Sequence, residues 1–225
     1  MAALTGGTAI TDVTLTGNVS WIAGTETQSG TGTFLAKGAS QSRYDLVLAG
    51  GNRTDIRNAS SGFPGGTWIG PDGGSNSYAS QNCWTDSGWF FPALSSLSGS
   101  DSSVVLSYVG QESRAGVSVQ HIQAYRYVPA KSAATTTLLQ QESTTDFYLN
   151  TASSLPVAIA FNAHPDDDSS VNLVVEVDFS NYQLASGAQI PMRIQKYLQG
   201  GLVLDFAVAG LVLNTGLPDT DFSIQ

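Results

Sequence analysis

The sequence predicts an all-β protein with minor α content, built as a single curved antiparallel sheet. Two observations lead to this. Period-2 alternation recurs in Val-, Ile- and Phe-containing runs from Asp12 to Val208, the pattern of strands with one buried face. Short Gly-bearing breaks separate these runs, as tight hairpins require. Strands joined by tight turns leave no slot for the helices of a βαβ unit. The expected result is a meander of about ten to thirteen strands. Charged residues make up 12% of the chain and 24 of its 225 residues are glycine. That composition suits a turn-rich sheet rather than a disordered acidic segment. Residues 1–225 are read as a single domain, since length alone does not demand two.

In chain order, Ala2 to Ile10 is expected to hold the end of a short helix weakened by Gly6-Gly7. From Asp12 to Ala23, Val13, Leu15, Val19 and Trp21 oppose Thr14, Thr16, Asn18 and Ser20. Thr27 to Lys37 is the return strand. Its Gly30 and Gly32 share the Phe34 side, where missing side chains leave room for a ligand or a sharp bend. Ser42–Ala49 and Asn52–Asn58 follow, with Tyr44, Leu46 and Leu48 on one face. Arg43, Asp45, Arg53, Asp55 and Arg57 are expected to form cross-strand ion pairs on the solvent face. Trp68-Ile69 and Ser77–Gln81 are short strand candidates in a Gly/Pro/Ser-rich region. Next comes the densest aromatic patch, CWTDSGWFFPAL, Cys83 to Leu94, where Thr85 or Asp86 can cap a short helix that Pro92 interrupts. Ser95 to Ser103 reads as a polar linker. Val104–Tyr108 and Val117–Tyr127 pair through a turn at Arg114-Ala115-Gly116, and Pro129 to Thr137 reads as a loop. Phe147–Leu149 and Val157–Phe161 pair around NTASSLP, and the acidic turn HPDDDSS leads into the last strands.

Those last strands alternate clearly: Leu173, Val175, Val177 and Phe179, then Met192 and Ile194, then Leu202, Leu204, Phe206 and Val208. A break from Asn181 to Gln189 separates the first two, with Pro191 suiting an edge position or a strand start. Gln199-Gly200-Gly201 turns the second into the third. The succession DFSNY, a Gly-containing loop, IPMRIQKY, a GG hairpin, an apolar strand and LNTGLPDTDF resembles the C-terminal half of the LolA/LolB-type outer-membrane lipoprotein-sorting carriers. It also resembles the wider LppX-like set of lipid-binding envelope proteins. The pattern covers Phe147–Phe222 and is one of short pieces, with no catalytic signature. The resemblance implies a half-open barrel whose concave face holds acyl chains. A helix precedes the first strand in that family; here only a truncated stub, residues 1–10, is available for it. Residues 83–103 then become a lid on the concave face. The resemblance further implies a periplasmic or secreted protein whose export signal has been removed, since Met1 is followed at once by AALTGGTAITD.

Charge excludes several function classes. The formal net charge is −9, with nine Lys and Arg, so no basic footprint exists for nucleic acid or for anionic membrane surfaces. No run of about 18 apolar residues is present, so no integral membrane helix is expected. A single cysteine, Cys83, cannot form an internal disulfide. It reads as a small buried thiol rather than a nucleophile.

Three constellations were candidates for chemistry. His164-Pro165-Asp166-Asp167-Asp168 contains oxygen and imidazole ligands for a hard cation, through His164, Asp166 and Asp168. It lacks the D-x-D-x-D-G order, and a solvated turn without metal is the expectation. A hydrolytic triad has no G-x-S-x-G elbow to support it, and His121 lies in the alternating run VSVQHIQAYRY. The third is the aromatic set Trp21, Phe34, Trp68, Trp84, Trp89, Phe90 and Phe91. As structure, these rings are the core of a sheet under its crossing segment. As function, they line an apolar pocket in which each buried CH₂ of a ligand gains about 0.8 kcal/mol.

The functional expectation is therefore a protein that is not an enzyme and needs no cofactor. It binds or transports a lipid or lipidated ligand in the bacterial cell envelope, with a membrane-associated donor or acceptor protein as further partner. The alternative is a structural or protein-interaction module of the envelope with a filled core and no ligand. A secreted hydrolase or sugar-binding β-domain is a third class, which an exposed Trp pair beside Asp or Asn would favour.

Overall fold

The computed structural model describes residues 2–60, 64–85, 88–94 and 102–224. The first half of the chain supplies β1 (Asp12–Ala23), β2 (Glu26–Lys37), β3 (Gln41–Leu48), β4 (Gly51–Asn58), β5 (Gly65–Ile69) and β6 (Ser75–Ser77). The second half supplies β7 (Val104–Arg114), β8 (Val117–Arg126), β9 (Thr145–Asn150), β10 (Pro156–Ala163), β11 (Leu173–Ala185), β12 (Ala188–Leu198) and β13 (Gly201–Leu213). They form one antiparallel sheet of 13 strands, in the order β6-β5-β4-β3-β2-β1-β13-β12-β11-β10-β9-β8-β7. It is an all-β, half-open barrel.

This order explains the role of the central connection. The chain steps outward from β1 to the edge at β6, restarts at the opposite edge with β7, and returns until β13 pairs with β1. The β6–β7 connection must therefore pass from one edge of the sheet to the other. Its described residues lie over the concave face. Trp89, Phe90, Phe91, Ala93 and Leu94 are all buried in the same cluster as Val13, Leu15 and Phe34. Their regular structure is limited to 3₁₀ turns at Ser80–Asn82 and Pro92–Leu94, where a short helix interrupted at Pro92 was expected. Residues 86–87 and 95–101, including Asp86 and most of the expected linker, lie outside the described residues.

Several expectations are corrected. The run read as a loop from Pro129 to Thr137 enters a helix, α2 (after the short α1, Ala2–Thr5), spanning Ala133–Glu142. Ser132 caps it, its Oγ accepting the Thr135 N–H at 3.1 Å, which satisfies one orphan donor of the first turn. Of its residues only Glu142 is buried, so there is no apolar stripe for periodicity to reveal. The strand expected at Ser77–Gln81 is instead β6 followed by a 3₁₀ turn. The break expected from Asn181 to Gln189 is a tight hairpin, because β11 continues to Ala185 and β12 begins at Ala188. Asn181, Ser186 and Gly187, all at positive φ, absorb the irregularity. Pro191 lies inside β12, yet β12 pairs with β13 only from Arg193 onward, so its missing N–H falls on a locally unpaired side.

The largest correction concerns the faces of β3 and β4. Register places Tyr44 opposite Asp55, Leu46 opposite Arg53 and Ser42 opposite Arg57. Residues directly opposite share a face, so Arg53, Asp55 and Arg57 lie on the concave side with Tyr44. Arg43 and Asp45 do face the other way, paired at 2.7 Å. With them lies Ile56, whose burial is supplied from outside. The C-terminal 3₁₀ turn Asp219–Phe222 folds over this strand pair and buries Phe222 completely. Arg43 Nη1 donates to the Asp221 carbonyl, and Asn58 Nδ2 donates to that of Phe222. Ile56, an apolar residue in β4, thus belongs with Phe222 to a second, smaller core.

Candidate functional site

The concave face divides into an apolar floor and a polar end. On the floor, Phe34 stacks on Phe206 with centroids 4.2 Å apart and on Tyr44 at 5.2 Å. Phe90 and Trp89 meet Phe34 edge-on, at 5.1 and 6.3 Å. The geometry is the offset and T-shaped packing that ring quadrupoles favour. The two strand glycines beneath have separate reasons. A Cβ at Gly32 would lie 3.0 Å from the Phe34 ring and 3.3 Å from Phe206, so the protein's own rings take the space. A Cβ at Gly30 would collide with the Val47 carbonyl on the neighbouring strand, so there glycine serves backbone approach.

The polar end is built between β4–β5 on one arm of the barrel and β10–β12 on the other. Asp55, buried on β4, accepts hydrogen bonds from Tyr44 Oη at 3.1 Å and from Tyr78 Oη, and it faces Arg57 Nε at 3.7 Å. Burial pushes the hydroxyls of Tyr44 and Tyr78 well up, and the Asp55 charge adds to this. Both therefore remain donors to the carboxylate. Arg57 lies over the Tyr78 ring and donates through Nη1 to the Asn82 carbonyl at 2.9 Å. The Asn82 amide in turn clasps the His164 backbone, donating to its carbonyl at 2.8 Å and accepting its N–H at 2.7 Å. Asn82 thus ties the two arms together across the open side of the barrel.

Two further positive charges rest on aromatic faces. Arg53 lies 3.9 Å above the Trp21 ring, and Lys196 Nζ lies 4.3 Å above that of Trp89. Desolvation lowers the Lys196 pKa to about 8, with the Arg57 charge acting in the same direction against a weaker opposing pull from Asp55. Between the arms is a cavity of about 250 Å³ walled by Arg57, Tyr78, Asn82, Phe161, His164 and Lys196. Trp68 and Tyr78 also line a neighbouring cavity of about 170 Å³, together with Trp21 and Arg53.

The structure brings four of the seven aromatic candidates, Phe34, Trp89, Phe90 and Phe91, into one buried cluster, with Trp21 partly buried against it. Trp68 is 39% exposed and lines the cavities, and Trp84 is half-buried. His164 is not in a solvated turn. It is 3% exposed, with Nδ1 3.0 Å from the Val171 carbonyl and Nε2 buried without a partner. Asp168 turns away to accept from Ser170 N and Oγ. Among the described residues, no three His, Cys, Asp or Glu side chains converge as a metal site would need. His121 pairs with Asp146 at 2.8 Å and stacks on Tyr148. Burial raises the Cys83 thiol pKa, the direction opposite to that of a reactive thiolate. Asp55, Arg57, Asn82 and Lys196 were missed as site residues. The available signal was the Tyr44–Asp55 register implied by the tight β3–β4 turn.

The fold is of the LolA type. Similar solved structures are a LolA superfamily protein from Nitrosomonas europaea (13% identity, 96% of this chain and 91% of that one, TM-score 0.58) and a domain from Vibrio parahaemolyticus described as an outer membrane lipoprotein-sorting protein (14%, 94% and 89%, 0.55). A DUF1329 family protein from Desulfovibrio piger is also similar (12%, 96% and 92%, 0.60). No protein-family model matches the sequence, and no curated protein matches it significantly. At these identities the likeness is one of fold. Among the described residues, no helix is long and apolar enough to cross a membrane.

Proposed function

We propose that the protein is a non-enzymatic carrier of a lipid or lipidated ligand in a bacterial cell envelope, acting in the periplasm or outside the cell. It would receive or deliver this ligand through a membrane-associated protein. The observation that carries this reading is the way the concave face is covered. Among the described residues, no strand or long helix lies on it. An aromatic segment with 3₁₀ turns packs directly on the floor rings, so it occupies the place of a ligand and acts as a plug. The magnitudes permit exchange. Exposing three aromatic side chains costs roughly 5–9 kcal/mol, whereas burying about twelve CH₂ groups of an acyl chain returns roughly 10 kcal/mol. The LolA-type fold of the similar proteins supports the same reading.

One observation favours the alternative, a protein-interaction module with a filled core: Phe90 and Phe91 are fully buried. The two readings separate on the wild-type protein. A carrier yields co-purified lipid by native mass spectrometry and saturable binding of a fluorescent fatty-acyl probe. A filled module yields neither.

A further inference from the structure

The polar end of the concave face holds more positive charge than its neighbours neutralise. Asp55 is already engaged by Tyr44, Tyr78 and Arg57. Lys196 has the Trp89 ring beneath it and, among the described residues, no carboxylate within ion-pair distance. Asp166, the acid among the described residues lining the cavity, is exposed. Glu142, buried at the end of α2, acts on His164 electrostatically. This excess of cations is set inside a chain of net charge −9, so general surface charge does not explain it. A partly desolvated ammonium without a counter-ion is costly, and an anion beside it removes that cost.

Unused hydrogen-bonding capacity lies in the same cavity wall. Arg57 Nε is buried and makes no hydrogen bond, with the Asp55 carboxylate facing it at 3.7 Å. His164 Nδ1 donates to the Val171 carbonyl, which leaves the partnerless Nε2 to accept in the neutral ring or donate in the imidazolium. The cavity, about 250 Å³, has the volume of roughly eight waters, enough for a compact head group. It adjoins the plug directly, since Lys196 touches Trp89.

We propose that this cavity binds the anionic head group, a phosphate or a carboxylate, of an amphiphile whose chain takes the place of the Trp89–Phe91 plug. The proposal rests on the carrier reading and specifies its ligand class. Phosphate or carboxylate oxygens would accept from Lys196 Nζ, beside the positive Arg57 guanidinium, and the chain would leave across Trp89 toward Phe34.

The test compares monododecyl phosphate, the neutral monolaurin and inorganic phosphate by isothermal titration. The expected preference for dodecyl phosphate over monolaurin is about tenfold or more, as for a charge-assisted contact. In Lys196→Met that ratio falls to about one, and in Lys196→Arg, which keeps the charge, it is restored. Equal affinities in the wild type, or a ratio insensitive to Lys196→Met, would overturn the head-group proposal while the carrier reading stands. If neither amphiphile binds, the carrier reading fails and this proposal with it. If inorganic phosphate binds as tightly as dodecyl phosphate, the anion site stands and its lipid source is overturned.

Discussion

The two ends of the concave face solve burial in opposite ways. The floor around Phe34 and Phe206 is fully apolar, and its glycine gap is filled by the protein's own rings. The other end holds a buried carboxylate, three cations on aromatic faces and a histidine with a free ring nitrogen. Apolar packing needs only contact, so a short aromatic segment can supply it and a chain of another molecule can replace it. Buried charge needs defined partners. Such partners are fixed by strand register and by the Asn82 clasp. The floor is thus suited to exchange, and the polar end to orientation and selection.

The comparison can be broken by experiment. The largest effect is expected from Phe34→Ala. It removes a fully buried ring contacting Phe206, Tyr44 and Phe90 and should cost about 3–5 kcal/mol in chemical denaturation. Less than about 1 kcal/mol would mean that the floor is not the stability core. Asp55→Asn strips the charge facing Arg57 and should cost about 3 kcal/mol. A neutral result would show that the polar end is solvated rather than buried.

Asp12 provides a smaller effect outside both regions. Burial pushes its carboxyl up, but hydrogen bonds from Thr215 N, Gly216 N, Thr215 Oγ and Thr11 Oγ outweigh this and hold its pKa below the ordinary value. Its folded pKa being depressed, its contribution is fully present above the unfolded carboxylate range and is lost as pH falls through the folded pKa. Asp12→Ala should cost about 2 kcal/mol at pH 7 and flatten the acid limb of the stability profile. An unchanged acid limb would remove Asp12 from the account. The smallest effect belongs to Lys196→Met, within about 1 kcal/mol at pH 7 because a charge without a counter-ion gives way to an apolar isostere. The lowered folded pKa of Lys196 means that wild-type stability gains as pH rises from about 8 toward the unfolded lysine value. Melting curves across that window should show the gain in wild type and its absence in the variant.

Most of the sheet was legible because alternation is local: β1 spans Asp12–Ala23 as the pattern requires. The half-open barrel was legible through the order of the C-terminal pieces. What was not legible depended on contacts distant in sequence. Arg53, Asp55 and Arg57 alternate like a solvent face, and Ile56 like a core residue. The β3–β4 register reverses that reading, and the C-terminal turn bringing Phe222 over Ile56 supplies the burial on the other face. His164 sits beside three aspartates and reads as a wet turn, yet Asn82, far upstream, buries it. The helix Ala133–Glu142 buries only Glu142, so it carries no apolar stripe for periodicity to reveal.

The central claim is that the segment over the floor is a plug that a lipid chain displaces. Hydrogen exchange read by mass spectrometry, with and without a saturating acyl probe, tests it most directly. The plug account predicts faster exchange over residues 88–94 on binding, with β1 and β13 unchanged or slower. Stronger protection of residues 88–94 by the bound probe would make the segment a roof over the ligand and contradict the plug account.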